Sequence, residues 1–100
     1  MVMLMKESDF QRSLILQVKK ALPGCMVLKN DPNYIQGIPD LLILYGNRWG
    51  ALECKRSESA SRQPNQKYYV DRMNDMSYAA FVCPENREEV INALEQALRT

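Results

Sequence analysis

The run Gly37-Ile38-Pro39-Asp40-Leu41-Leu42-Ile43-Leu44-Tyr45, continued by Gly46-Asn47-Arg48 and then by Trp49-Gly50-Ala51-Leu52-Glu53-Cys54-Lys55, decides how this chain folds. Leu41 to Tyr45 is apolar at every position. Such continuity is more than a half-exposed strand needs, and it predicts a central strand covered on both faces. Gly46-Asn47-Arg48 supplies a hairpin turn. In the return strand Trp49 to Lys55 the two-residue period sends Glu53 and Lys55 to one face, and Leu52 and Cys54 to the other. A hairpin of this loop length sets the start of one strand opposite the end of the next. Asp40, thirteen residues before Glu53, therefore comes beside it.

Outward from the hairpin, Phe10, Leu14, Ile15, Val18 and Leu22 recur at helical spacing and Pro23-Gly24 ends the run, so a helix is expected from about Glu7 to Leu22. Ser8 and Gln11 have capping-box spacing and offer a second start for it. Cys25 to Lys29 reads as a short strand, and Asn30-Asp31-Pro32-Asn33 as a turn leading into a loop that reaches Pro39. After Lys55 the polar stretch Arg56 to Ser61 has loop composition. Ser61 is the expected cap of a second helix, with Pro64 in its first turn and Gln66, Tyr69, Val70 and Met73 facing inward to about Asp75. Tyr78 to Cys83 is a further strand stopped by Pro84. Val90, Ile91, Leu94 and Leu98 mark an amphipathic C-terminal helix. The order α-β-β-β-α-β-α gives an α/β fold in a single domain, 1–100.

Composition narrows the chemistry. One hundred residues, 46% hydrophobic and 25% charged, make one core with little stability to spare. No apolar run approaches a bilayer span, and the Met1, Met3, Met5 start meets Lys6 and Glu7 too soon for a signal-peptide core, so a cytoplasmic protein with no membrane partner is expected. Cys25, Cys54 and Cys83 are isolated and read as buried or strand thiols rather than zinc ligands. The chain has no histidine, which excludes Ser-His-Asp, Cys-His and His-Glu-x-x-His sites. Carboxylates, lysine and metal are what is left. The net charge of +1 is unevenly spread: Lys55 to Arg72 holds five basic residues and two acidic, whereas Pro84 to Thr100 holds two basic and four acidic. The middle of the chain is the expected phosphate-facing side.

Two carboxylates and an ammonium on one face suit metal-assisted cleavage of a phosphodiester, in which Mg²⁺ or Mn²⁺ supplies a nucleophile and offsets charge on the phosphoryl oxygens. Asp40 and Glu53 are the candidate metal ligands, and the backbone carbonyl of Cys54 is a third. Lys55 is placed to orient or deprotonate the attacking water. Each has a plainer reading. Asp40 can cap a turn, Glu53 and Lys55 can form an exposed ion pair, and Trp49, Tyr68 and Tyr69 can complete the core rather than stack on bases. Arg56, Arg62 and Lys67 are candidate nucleic-acid contacts on a face that solvent would equally cover.

Pro39-Asp40 with Glu53-Cys54-Lys55, on this order of elements, resembles the PD-(D/E)xK nuclease superfamily. Within it the chain is similar to the VRR-NUC, or virus-type replication-repair nuclease, branch. The resemblance rests on Glu7-x-x-x-Gln11, Gly37-Ile38-Pro39-Asp40-Leu41-Leu42, Ala51-Leu52-Glu53-Cys54-Lys55, and Gln66 with Tyr68 and Tyr69 behind it. It implies a restriction-endonuclease-like α-β-β-β-α-β core, a central mixed sheet flanked by helices, and a C-terminal helix added. It further implies a stand-alone phage or bacterial domain that cuts branched DNA such as junctions or flaps, with Gln66 at the catalytic site and Glu7 supporting the metal. A first-turn glutamate is also what a helix dipole favours by itself. A homodimer is expected, with the Met-rich terminus as its apolar contact. The rival expectation is a DNA-binding adaptor that keeps the nuclease fold without the activity.

Overall fold

A computed structural model describes residues 6–100; the Met-rich start that was a candidate dimer contact lies outside them. Helix α1 spans Glu7–Ala21 and buries Phe10, Leu14 and Val18, which recur at every fourth position of the expected stripe. Lys6 is its N-cap, so Ser8 lies inside the first turn instead of capping it. Acidic Glu7 and Asp9 at the start and basic Lys19 and Lys20 at the end complement the helix dipole.

Four strands follow, β1 (Met26–Lys29), β2 (Leu41–Tyr45), β3 (Arg48–Cys54) and, after a helix, β4 (Tyr78–Val82), in the sheet order β1-β2-β3-β4. The first two pairings are antiparallel and β3 with β4 is parallel, which makes the expected mixed sheet. Tyr45 pairs directly with Arg48, leaving Gly46 and Asn47 as a two-residue turn, and Gly46 takes the positive φ of 61° that such a turn demands of its first residue.

Helix α2 (Pro64–Met76) crosses from β3 to β4 on one face of the sheet, and α3 (Arg87–Arg99) lies with α1 on the other. Beneath α1 and α3, Phe10, Leu14, Leu41, Ile43, Leu52 and Leu94 form the main core. Beneath α2, Ala51, Val70 and Ala79 form a smaller one, edged by Trp49, Met73 and Phe81. Trp49 is thus a packing residue. Tyr68 is exposed and meets Tyr69 edge-on at 5.1 Å between ring centroids.

Two expectations are corrected. Helix α2 is capped by Gln63 rather than Ser61, because Gln66 reaches back to accept the Gln63 N–H at 3.0 Å and fixes the start of the helix there. Strand β2 is central but covered on one face only. Leu41 and Ile43 are buried while Leu42 and Leu44 are half-exposed, since α2 packs over β3 and β4. A groove of about 290 Å³ lined by Tyr34, Ile35, Ile38, Leu42 and Met73 occupies the uncovered side. The strand enclosed on both faces is β3, buried from Gly50 to Cys54.

The three cysteines are unpaired. Cys54 and Cys83 are buried and Cys25 is half-buried at the entry to β1. No helix among the described residues is long and apolar enough to cross a membrane.

Candidate active site

The antiparallel register that pairs Leu41 with Leu52 carries on to set Asp40 opposite Glu53. Two hydrogen bonds lock that step: the Asp40 N–H donates to Glu53 Oε1 at 3.2 Å, and the Cys54 N–H donates to Asp40 Oδ2 at 2.8 Å. Just past the end of β3, Lys55 donates its own N–H to the Val82 carbonyl at 2.8 Å, prolonging the parallel ladder. Glu53 and Lys55 face α2, as the strand period requires, while Leu52 and Cys54 join the core on the opposite face.

Gln66, in the first turn of α2, ties the charged groups together. Its Nε2 donates to Glu53 Oε2 at 3.0 Å and its Oε1 accepts from Lys55 Nζ at 2.8 Å. Only this amide orientation works, since turning it over would set NH₂ against the ammonium and against the Gln63 N–H. Lys55 Nζ stands 3.9 Å from Glu53 Oε2. Glu53 is 3% exposed and Lys55 9%, so the plainer reading of the two as a surface ion pair does not describe them. Asp40, Glu53, Lys55 and Gln66 form one connected network.

Burial and the neighbouring Asp40 charge push the Glu53 carboxyl up to about 8, with Lys55 only partly opposing. Burial also raises Asp40, against the pull of the Cys54 N–H and Lys55. Both shifts run the same way and favour the neutral form, as close carboxyls in a poorly hydrated place do. A divalent cation answers the same demand with hard-oxygen ligation, so this donor set fits one. The Cys54 thiol is pushed far up, by burial first and then by Asp40, Glu53 and Glu7, and stays an inert thiol. Glu7 is exposed, and its charge reaches both Glu53 and Cys54. Among the described residues no group of three His, Cys, Asp or Glu side chains is gathered closely enough to hold a metal, so the two carboxylates would need carbonyl or water ligands beside them.

Two contributors had no role assigned from the sequence, Asn30 and the Gly37 that opens the motif. Asn30 donates its N–H to the Asp40 carbonyl at 2.9 Å and its Nδ2 to the Pro39 carbonyl at 2.8 Å, fixing the strand mouth from the neighbouring edge. In the sequence it was one more turn residue before Asp31-Pro32-Asn33. Gly37 has φ +93°, and a Cβ there would stand 2.8 Å from the backbone carbon of Asn65. It is the point where the loop before Asp40 touches the start of α2. Of the basic candidates, Arg56 is exposed, Lys67 is engaged with Asp71 at 2.8 Å, and Arg62 lies over the Phe81 ring with its guanidinium carbon 4.2 Å from the centroid.

No protein-family model matches the chain, and no curated protein sequence matches it. Among solved structures, a VRR_NUC domain superposes with a TM-score of 0.69 at 24% identity, over 86% of this chain and 94% of that one. Hjc of Archaeoglobus fulgidus, a Holliday junction resolvase from an archaeal hyperthermophile, superposes with a TM-score of 0.51 at 16% identity, over 75% of this chain and 66% of the other. The chain has the fold of the VRR_NUC domain, as its elements led one to expect.

Proposed function

We propose that this chain is a metal-dependent endodeoxyribonuclease acting on branched DNA. The observation that carries the reading is the part-buried Asp40–Glu53–Lys55–Gln66 network on one face of the sheet, with Glu53 and Lys55 at its buried centre. The likeness in fold to a VRR_NUC domain and to a Holliday junction resolvase supports it, and the latter directs the choice of a four-way junction as substrate. Asp40 and Glu53 would hold Mg²⁺ or Mn²⁺ with the Cys54 carbonyl, and Glu7 would add to the negative rim. The ion's part would be to offset charge on the phosphoryl oxygens and supply a nucleophile at neutral pH.

The residues of the chain divide the remaining work. Of the three Nζ–H donors of Lys55 one is held by Gln66, which leaves two for the attacking water and a phosphoryl oxygen. Gln66 aims Lys55 and Glu53 with one amide, so both keep fixed positions as charge develops. Asp40 and Glu53 would hold a cation with the same oxygens that take up protons, so loading would be stronger at higher pH. The homodimer belongs to the same proposal: it would place one site on each of two strands. Met26 and Leu28, exposed on edge strand β1, are apolar surface it can use.

The test is cleavage of a labelled four-way junction beside matched duplex, flap and single strands, in Mg²⁺, Mn²⁺ or EDTA. Metal-dependent cutting that Lys55→Ala lowers at least a hundredfold is expected, by analogy with the loss of one transition-state donor. Paired nicks across the junction would report the dimer. Intact DNA under every metal condition, with tight junction binding, would replace the nuclease with the adaptor.

A further inference from the structure

The network described above handles one phosphate, yet a DNA strand presents neighbouring phosphates on either side of it. Next to Glu53 on the sheet is Phe81, its partner in the parallel register of β3 and β4, one strand spacing of about 4.8 Å away. Paired residues of a parallel ladder share a face, so the Phe81 ring stands on the α2 side with Glu53 and Lys55, where it edges the Ala51–Val70–Ala79 cluster. The Arg62 guanidinium lies over that ring at 4.2 Å. None of the three ion pairs among the described residues includes Arg62.

This sets Arg62 apart from the other cations after the hairpin. Lys67 is neutralised by Asp71 one helical turn on, and both are well exposed. Arg56 has no ring beneath it among the described cation–π contacts. The segment that carries Arg62 is held at both ends. Glu58 donates its N–H to Glu85 Oε2 at 3.1 Å on one side, and on the other Gln63, its next residue, donates its N–H to Gln66 Oε1. A stacked guanidinium loses less freedom on meeting an anion than a mobile lysine does, and its edge donors remain available for two phosphate oxygens.

We propose that Arg62, mounted on Phe81, forms a phosphate-binding subsite for the backbone phosphate next to the one that is cut. The proposal rests on the nuclease reading for which phosphate is cut, but the binding of DNA phosphate at Arg62 does not need cleavage to occur. Arg62 seats the strand and Phe81 is a positioning residue that acts through it.

Junction binding without cleavage, in EDTA or Ca²⁺ over a range of NaCl, separates the two ideas, with single-turnover and steady-state cleavage in Mg²⁺ alongside. One lost phosphate contact should make the log–log salt dependence of Arg62→Ala shallower by about 0.9. Its KM should rise several-fold with kcat little changed, and Phe81→Leu should show part of the same loss while Arg62 is intact. Lys20→Ala, which removes an exposed charge at the far end of α1, should keep the wild-type slope. Arg62 is exposed, so its variant should melt as the wild type does, and the salt slope is a readout that misfolding does not mimic. If the wild type binds with a slope that Arg62→Ala lowers but no metal supports cutting, the subsite stands and the nuclease falls. If the wild type cuts and Arg62→Ala keeps both slope and KM, the subsite falls alone. A wild type that binds no DNA overturns both.

Discussion

With Asp40 beside it and little water around it, Glu53 keeps its proton to about pH 8 in the folded chain, against a starting value of 4.5. Between those values the folded chain binds a proton that the unfolded chain has released. The stability contributed by neutral Glu53 is complete below about pH 4.5 and is lost as pH rises through about 8. Asp40, raised in the same direction, adds to the slope. Glu53→Gln keeps the shape and an acceptor oxygen for Gln66, gives up the weaker 3.2 Å acceptor for the Asp40 N–H, and has no proton to lose. In EDTA, its urea midpoint should vary less than that of the wild type from pH 5 to 9, and at pH 8.5 it should be the more stable protein by on the order of a few kcal/mol. Parallel midpoint curves for the two proteins would mean that Glu53 ionises freely, and that nothing at this position asks for a cation.

At the scale of elements, the site depends on how the loop before β2 meets α2. Gly37 permits that approach twice over, by its positive φ and by lacking the atom that would strike Asn65. Gly37→Ala should cost at least about 1–2 kcal/mol from backbone strain alone. It should also lower cleavage by more than the stability loss explains, since the displaced helix start carries Gln66. Urea unfolding and cleavage rates on the same preparation measure both, and a variant with wild-type activity would free the site from this contact. The hairpin was legible in the sequence because turn chemistry and strand period are local, and they set Asp40, Glu53 and Lys55 on one face. Helical spacing turned Gln66 inward, but its place at the site came only through the family resemblance. Gly37 stood in the motif, but its close approach to Asn65 and the bonds of Asn30 were not legible, because each depends on where a distant backbone runs. The mistaken cap at Ser61 has the same cause: Ser61 has the better intrinsic preference, but Gln66 bonds back to Gln63. Strand β2 misled for another reason, since a continuous apolar run does not reveal how many helices cover it.

Across the whole molecule, the site is assembled from contacts of very different reach. A two-residue turn is enough to bring Asp40 against Glu53, whereas the cover over them requires α2 to dock and β4 to join β3 in parallel. Loop closure makes the second event the slower one to nucleate. The hairpin can therefore pair its two carboxyls while water still surrounds them, and the dry environment arrives with the crossover. This ordering gives the charged pair a place in time. At pH 8.5 in EDTA, stopped-flow measurements should find Glu53→Gln refolding at close to the wild-type rate and unfolding more slowly, because the substitution acts after the main barrier. A gain confined to refolding would place α2 in the nucleus instead. On the first course, the repulsion that readies the site for a cation leaves the speed of folding alone and shortens the lifetime of the finished, metal-free protein.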